Sequence, residues 1–138
     1  MAQINPYLNF NGKCREAMTF YHECLGGELE MQKISESPMA VQLPSEAGAN
    51  ILHSALVNDK MVLMGSDMLG GEVVKGNDIS LCLNCQDEHE IERFFKNLSR
   101  DGRVRTPLHQ TFWGSTSGEL TDKFGVHWLL NYSKVQEP

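Results

Sequence analysis

The amino-acid sequence predicts an α+β protein in which one βαβββ module occurs twice. In each half, a strand-like stretch leads into an amphipathic helix. Phe20-Tyr21 and Phe94-Phe95 hold matching places on the two helices, about half the chain apart. A glycine-rich linker separates the halves. We therefore expect one domain, residues 1–138, with modules at about 1–70 and 76–138. Two curved mixed sheets, each with a helix on its back, would pair their concave faces into a cleft.

The first module begins with residues 4–10, which alternate apolar and polar side chains and predict a strand. A helix follows, because apolar side chains recur at helical spacing and Gly26-Gly27 supplies a stop. Residues 28–34 predict a second strand, and residues 35–50, with two prolines, predict a long loop or a partly ordered strand. The last two strands form a hairpin around Asn58-Asp59-Lys60, whose Asx residues favour a turn.

The second module repeats this order. Residues 78–85 predict a strand, and Asp87 is placed to cap the helix that follows. Residues 103–112 predict an edge or broken strand, because Pro107 cannot donate a ladder hydrogen bond. Two strands near 118–122 and 126–132 complete the module.

Composition excludes several classes of partner. The net charge of −6 argues against nucleic acid and against anionic lipid, since both are bound through Lys and Arg. No apolar run approaches the ~18 residues of a membrane span. The first ten residues lack the basic start and apolar stretch of a signal peptide, so we expect a cytoplasmic protein with reduced thiols.

Cys82 and Cys85 form a C-x-x-C sequence, which in a turn can bind zinc or act in redox chemistry. Here the flanking residues alternate like a strand, which directs side chains three apart to opposite faces. Two small buried thiols are the favoured interpretation.

The chain resembles the vicinal oxygen chelate superfamily, which has the glyoxalase, bleomycin-resistance and extradiol-dioxygenase fold, and in particular its PhnB-like branch. Four stretches carry the resemblance: PYLNFNGKCREAMTFYHECLGGE, HSALVNDKMVLMGSD, DISLCLNC and FWGSTSGELTDKFGVHWLLN. The resemblance implies two paired βαβββ modules, commonly in a homodimer.

Metal-using members of this superfamily have four ligand positions, usually His, Gln or Glu, that face the cleft. The resemblance places these positions at Asn5, Leu63, Ser80 and Leu129, with an uncertainty of one residue at Leu63. Divalent metals need imidazole, thiolate or carboxylate donors. The sequence therefore predicts a cleft without the usual metal and without another cofactor.

Alternation along the strands and the resemblance together define a set of candidate cleft residues. They are Asn5, Tyr7, Asn9, His53, Leu63, Asp67, Ser80, Cys82, Asn84, Trp113, His127, Leu129 and Asn131. His53 is a structural residue, a polar contact in the cleft or a general base. His127 with His53 and Asp67 would be needed to rebuild a metal site. Trp113 would stack on a ligand or pack against a dimer partner.

Two functions from different classes are consistent with these residues. The favoured one is a homodimeric protein that binds a small organic molecule without a metal. The alternative is a metal-dependent lyase, isomerase or dioxygenase of the same superfamily. A metal-free enzyme with His53 or Asp67 as its base is a third possibility. Because fold analogy alone is weak support for chemistry, the sequence leaves enzymatic activity open.

Overall fold

Each half of the chain folds into a four-stranded mixed sheet with one helix packed on it. The computed structural model describes residues 2–36, 49–59, 61–67 and 72–133. These divide into two compact units, unit 1 (Met1–Val74) and unit 2 (Lys75–Pro138). The order of elements is βαβββ in each, so the predicted fold class is confirmed.

Unit 1 contains strands β1 to β4 and helix α1. Strand β1 runs parallel to β4, whereas the β2–β3 and β3–β4 pairs are antiparallel, which gives the order β1-β4-β3-β2. A short 3-10 helix, Ile34–Glu36, follows β2. The bounds are β1 Tyr7–Phe10, α1 Cys14–Leu25, β2 Glu28–Lys33, β3 Ile51–Asn58 and β4 Met61–Asp67.

Helix α1 packs closely on its sheet through small and apolar side chains. Ala17, Met18 and Tyr21 are fully buried. Gly65 lies beneath the helix, where an added Cβ would be 3.3 Å from the Met18 sulfur and 3.1 Å from Phe10 Cε2. Glycine at this position therefore lets the helix approach the sheet.

Unit 2 contains strands β5 to β8 and helix α2, in the matching order β5-β8-β7-β6. Strand β5 is parallel to β8, and the other two pairs are antiparallel. Asp87 accepts a hydrogen bond from the Glu90 backbone N–H at 2.7 Å, which confirms the predicted cap. The bounds are β5 Leu81–Asn84, α2 Glu88–Leu98, β6 Arg103–Gln110, β7 Ser115–Thr121 and β8 His127–Ser133.

The core of unit 2 lies between α2 and the two central strands. Ile91 and Leu98 from the helix, with Leu120 and Leu130 from the sheet, are fully buried. Trp128 is 4% exposed, which confirms its prediction as a core residue. Burial of these apolar side chains stabilises the unit by roughly 1.5–3 kcal/mol for each large one.

The structure corrects several predicted boundaries. The first strand starts at Tyr7 rather than residue 4, and Ile4 is 99% exposed. The fifth strand starts at Leu81 rather than residue 78, because its pairing with β8 runs only from Leu81 to Asn84. Most of the predicted loop at 35–50 and Gly70-Gly71 of the linker lie outside the described residues.

Strand β6 is an edge strand, as the proline predicts. Its register against β7 shifts twice, on either side of Thr106, and Pro107 lies within the second shift. No helix in the described part of the chain has the length and apolar character that crossing a bilayer requires.

Candidate functional site

Alternation along the strands gives each sheet one face that contacts its own helix and one that turns away from it. We call these the helix-packed face and the helix-distal face. In unit 1, Leu56 and Leu63 pair across β3 and β4 on the helix-packed face, next to Gly65. Tyr7 and His53 lie on the helix-distal face, since they alternate with these buried positions.

Tyr7 and His53 contact each other on the helix-distal face of unit 1. Tyr7 Oη lies 3.4 Å from His53 Nδ1, the ring centroids are 5.9 Å apart, and the planes are inclined by 29°. When the phenol donates to Nδ1 of a neutral imidazole, the remaining proton is on Nε2. The pair thus joins stacking with one weak hydrogen bond.

The two rings lean towards each other over strand β4, which separates their strands. Neighbouring strands are about 4.8 Å apart, so residues two strands away are separated by about twice that distance. The centroid separation of 5.9 Å is much shorter. Ser66, on the same face of β4, is only 9% exposed. The rings therefore narrow access to the β4 surface between them.

The structure corrects two candidate residues of unit 1. Leu63 is 2% exposed on the helix-packed face, so the helix-distal position in this part of β4 is Met64. A slip of one residue exchanges the two faces of a strand, and the hairpin turn left this register open. Asp67 is also buried under the helix, at 2% exposure, rather than in a cleft.

Asp67 acts as a cap for helix α1 from a distant strand. Its carboxylate accepts hydrogen bonds from Cys14 N at 3.0 Å and from Ile51 N at 2.8 Å. Lys13, at the N-cap position, supplies no side-chain hydrogen bond of its own. A carboxylate at a helix N-terminus is favoured by the helix dipole. Both Asp67 oxygens serve the fold, which leaves little for base chemistry.

On the helix-distal face of unit 2, strands β5 and β8 carry neutral hydrogen-bonding groups, with Glu119 of β7 beside them. Asn84 Oδ1 accepts from Asn131 Nδ2 at 3.5 Å and from the Cys82 thiol at 3.7 Å. Asn9 in unit 1 and Asn84 both turn away from the helix of their own unit, as alternation predicts. That both line one cleft stays a prediction.

Cys82 and Cys85 are separated by the face alternation, as the sequence predicts. The expectation that both thiols are buried is wrong for Cys82, which is exposed because it lies on the face away from the helix, whereas Cys85 is buried; all four cysteines are free thiols. Desolvation raises the pKa of the Cys82 thiol. Desolvation, reinforced by Glu90, raises the pKa of Cys85 to about 12. Both groups are therefore thiols rather than thiolates at neutral pH.

His127 lies on the helix-distal face of β8 but is engaged within its own unit. Its Nε2 is 3.0 Å from the Gly76 carbonyl oxygen and its Nδ1 is 2.8 Å from the Thr121 hydroxyl. A carbonyl can only accept, so Nε2 donates and, in neutral His127, Nδ1 accepts from Thr121. Both ring nitrogens thus hold the chain that precedes β5 against β8.

The remaining candidates are Leu129 in strand β8 and three residues outside the regular strands. Leu129 is half-buried on the helix-distal face, with Cys82 and Glu119 as its neighbours in register. Asn5 and Ser80 precede β1 and β5, half-buried and exposed respectively. Trp113 is 66% exposed in the β6–β7 turn. Its ring packs edge to face against that of Phe112, with 4.8 Å between the ring centroids.

Sequence reasoning missed three residues, of which two lie on the helix-distal faces and one lies in the β6–β7 turn. Met64 was missed through the register of β4, and Thr121 because its role depends on His127 across the sheet. Phe112, which is 97% exposed, carried a signal in the sequence, since a large apolar residue beside Trp113 in a loop is unusual.

The residues at the implied ligand positions do not fit a divalent metal. With Met64 in place of Leu63, the four positions offer an amide, a thioether, a hydroxyl and a hydrocarbon. Zinc, iron and manganese sites use imidazole, thiolate or carboxylate donors. In the described ranges, no three His, Cys, Asp or Glu side chains are grouped so that they could hold a metal ion.

The repeated βαβββ topology and the matching strand orders define the class of protein. It is the fold of the glyoxalase, bleomycin-resistance and dioxygenase proteins. Solved members of that group match the chain as a fold, at 16% identity or less.

Residues 2–131 match the family model described as 3-demethylubiquinone-9 3-methyltransferase, and the chain belongs to this family, within the PhnB-like branch. Protein YjdN of Escherichia coli is 34% identical, over 96% of this chain and 97% of that protein. The crystal structure of protein PA1353 from Pseudomonas aeruginosa is similar at 42% identity and a TM-score of 0.83, covering 96% of this chain and 98% of that one. A PhnB protein from Bacillus cereus is 26% identical with a TM-score of 0.78, covering 96% and 100%.

Proposed function

We propose that this protein binds a small organic molecule through the helix-distal faces of its sheets, without the divalent metal of its metal-using relatives. One observation carries the proposal: at the parallel strand pairs β1–β4 and β5–β8, those faces combine half-buried apolar side chains with uncharged hydrogen-bonding groups. Met64 and Leu129 supply apolar surface, while Asn9, Asn84 and Asn131 supply amides. Binding sites for small molecules have this composition, mostly apolar with a few polar groups that fix orientation.

The donor set supports binding without a metal. A centre rebuilt from His53, His127 and Asp67 would need side chains that the fold already uses. Asp67 caps helix α1, and both ring nitrogens of His127 are hydrogen-bonded. Of the three residues, only His53 keeps a ring nitrogen without a hydrogen-bond partner among the described residues, and one such donor is too few for a divalent site.

The description of the family model suggests methyl transfer as a second function. A methyl donor with an anionic group would be expected near a helix N-terminus that follows a strand. In this chain the Cys14 N–H at that position is already bound by the Asp67 carboxylate. We therefore rank methyl transfer below ligand binding, and calorimetry with S-adenosylmethionine tests it directly, with no heat of binding expected.

We further propose that the protein works as a homodimer in a reducing cytoplasm. Four free cysteines are compatible with a reducing compartment. The exposed aromatic tip of Phe112 and Trp113 provides apolar surface that a second copy can cover.

The test combines elemental analysis with native mass spectrometry on protein purified without an affinity tag. We expect less than stoichiometric zinc, iron, nickel and manganese, and a copurified organic mass in at least part of the sample. Treatment with EDTA should leave the melting temperature unchanged. One metal ion per chain, together with a lower melting temperature after EDTA, would defeat the proposal and favour the metal-dependent enzyme.

A further inference from the structure

We propose that Tyr7 and His53 form a recognition pair for an uncharged, planar aromatic ligand that carries a hydrogen-bond acceptor. This inference rests on the proposed ligand-binding function and names the ligand class that unit 1 takes. The pair comes from two strands that are not neighbours, and the rings meet over β4 at a centroid distance of 5.9 Å. Neither side chain is buried, and Tyr7 is 44% exposed.

The hydrogen bonding of the pair leaves one donor for a ligand. Either Tyr7 Oη or His53 Nδ1 can be the donor of their hydrogen bond. A ligand acceptor at Nε2 selects the neutral tautomer in which the phenol donates to Nδ1 and the imidazole carries its proton on Nε2. Within the described part of the chain, His53 Nε2 has no hydrogen-bond partner. This nitrogen differs from His127 Nε2, which donates to the Gly76 carbonyl. A ligand that offers a carbonyl or ring-nitrogen acceptor would satisfy it.

The surroundings of the pair favour a planar ligand. Stacked aromatic rings present a flat surface, and Met64, the register neighbour of Tyr7 on β4, adds a polarisable side chain below it. Asn9 lies two residues along β1 on the same face and offers an amide. A flat ring with one polar substituent can contact the aromatic pair, the Met64 side chain and the Asn9 amide at once.

The charges on this face disfavour an anion. Among the described strand residues of unit 1, the charged side chains on the helix-distal face are Glu28 and Glu30. Both lie on the edge strand β2, where they pair with Val57 and Ala55 of β3. Lys33 pairs with the buried Ile51 after a register shift and so belongs to the other face. Among these described strand residues, an anionic ligand would find repulsion and no cation to pair with. Three strand spacings, about 14 Å, separate β1 from β2, so a cationic ligand above Tyr7 would not form an ion pair with the carboxylates of β2.

Three small probes test the inference because they change one property at a time. Benzamide is planar, uncharged and carries a carbonyl acceptor. Cyclohexanecarboxamide keeps the polar group but replaces the flat ring, and benzoate keeps the ring but adds a negative charge. We expect benzamide, at millimolar concentration, to shift the side-chain NMR signals of Tyr7 and His53. Cyclohexanecarboxamide should bind about two- to tenfold more weakly, the factor that stacking energies imply. Benzoate should also bind more weakly, because its carboxylate meets no cation among the described strand residues on this face.

Variants distinguish recognition by the pair from a general affinity of the surface. Tyr7→Phe should keep stacking and weaken benzamide binding modestly, whereas Tyr7→Leu should abolish the preference for benzamide over its saturated counterpart. His109→Leu is the matched control, because His109 is an exposed strand histidine whose hydrogen bond within the described residues is to the Pro107 carbonyl. It should leave binding unchanged.

The possible outcomes distinguish failure of the recognition pair from failure of the proposed function. Benzamide shifts confined to Asn84 and Asn131 would overturn the recognition pair while leaving ligand binding by the helix-distal faces intact. Equal shifts with cyclohexanecarboxamide, or shifts unaffected by Tyr7→Leu, would also overturn it, as would the absence of any shift. Stoichiometric metal in the untagged protein would instead defeat the proposed function, whatever the probes do.

Discussion

The Asp122 carboxylate accepts a hydrogen bond from the indole Nε1 of Trp128 at 2.9 Å and thereby joins the last turn to the last strand. Its other oxygen accepts from the backbone N–H groups of Phe124 and Val126, at 2.8 and 3.1 Å. Asp122 is 3% exposed and Trp128 is 4% exposed. The turn that presents the helix-distal residues of β8 therefore depends on one buried carboxylate.

Replacing Asp122 by alanine should destabilise the protein strongly. The substitution leaves three donors without their acceptor in a buried setting, and we expect a loss of about 3 kcal/mol in the free energy of unfolding. Urea denaturation measures this loss. Glu92→Ala, an exposed change on helix α2, is the control and should alter stability by less than about 0.5 kcal/mol. An Asp122→Ala protein as stable as the control would refute the role of this carboxylate.

Asp67→Asn should lower stability less than Asp67→Ala. The amide oxygen of asparagine can still accept one of the two backbone hydrogen bonds, whereas alanine leaves both the Cys14 and Ile51 N–H groups unpaired. We expect about 1–2 kcal/mol for asparagine and about 2–4 kcal/mol for alanine. Circular dichroism melts provide the measurement, with Glu23→Gln on the exposed side of α1 as control. Ligand binding should survive in Asp67→Asn; its loss in a fully folded variant would restore the base hypothesis for Asp67.

Stability should fall at alkaline pH through the buried thiols. Desolvation raises the pKa of Cys85 to about 12 and that of Cys14 to about 11, from 9.0. The native state therefore keeps protons that the unfolded chain releases, so this contribution is complete below pH 9.0 and is lost towards pH 12. Urea denaturation at increasing pH in a reducing buffer should show the decline. Cys85→Ala should show a shallower decline; an identical slope would contradict the prediction.

Cys82 should react before the other thiols in the native protein. It is the exposed cysteine, whereas Cys14, Cys24 and Cys85 are buried. Titration with a chromogenic disulfide near pH 8 should show one fast thiol per chain, and Cys82→Ser should remove that phase. Its raised pKa should make the reaction slower than that of a fully solvated thiol. Several equally fast thiols would show that the native state opens readily.

Leu129→Glu should not create a metal site and should destabilise the sheet. Glu119 is directly opposite in register, so the substitution places two carboxylates side by side and puts a charge against apolar neighbours. We expect a loss of roughly 1–3 kcal/mol, and about half of that for the uncharged control Leu129→Gln. Thermal melts with and without zinc, nickel or manganese should show no gain for the variant. A gain of several degrees with one metal would contradict the prediction.

The sequence by itself determined the order of the helices and strands and, for most strands, which side chains lie on which face. The two-residue period of a strand placed Trp128 and Leu130 in the core and Leu129 and Asn131 on the opposite side. Asp87 was identified as a cap because capping acts within one turn of the chain. Such features depend on neighbours a few residues away, so periodicity and residue chemistry specify them.

Only the tertiary structure decided which distant residues meet. The register of β4, which exchanged Leu63 for Met64, depends on the hairpin turn, where a one-residue slip reverses the faces. Asp67 reaches Cys14 across 53 positions, His127 reaches Gly76 across 51, and Tyr7 reaches His53 across 46. No local pattern encodes these contacts, because they arise when strands distant in the chain pair side by side and bring their side chains onto one face.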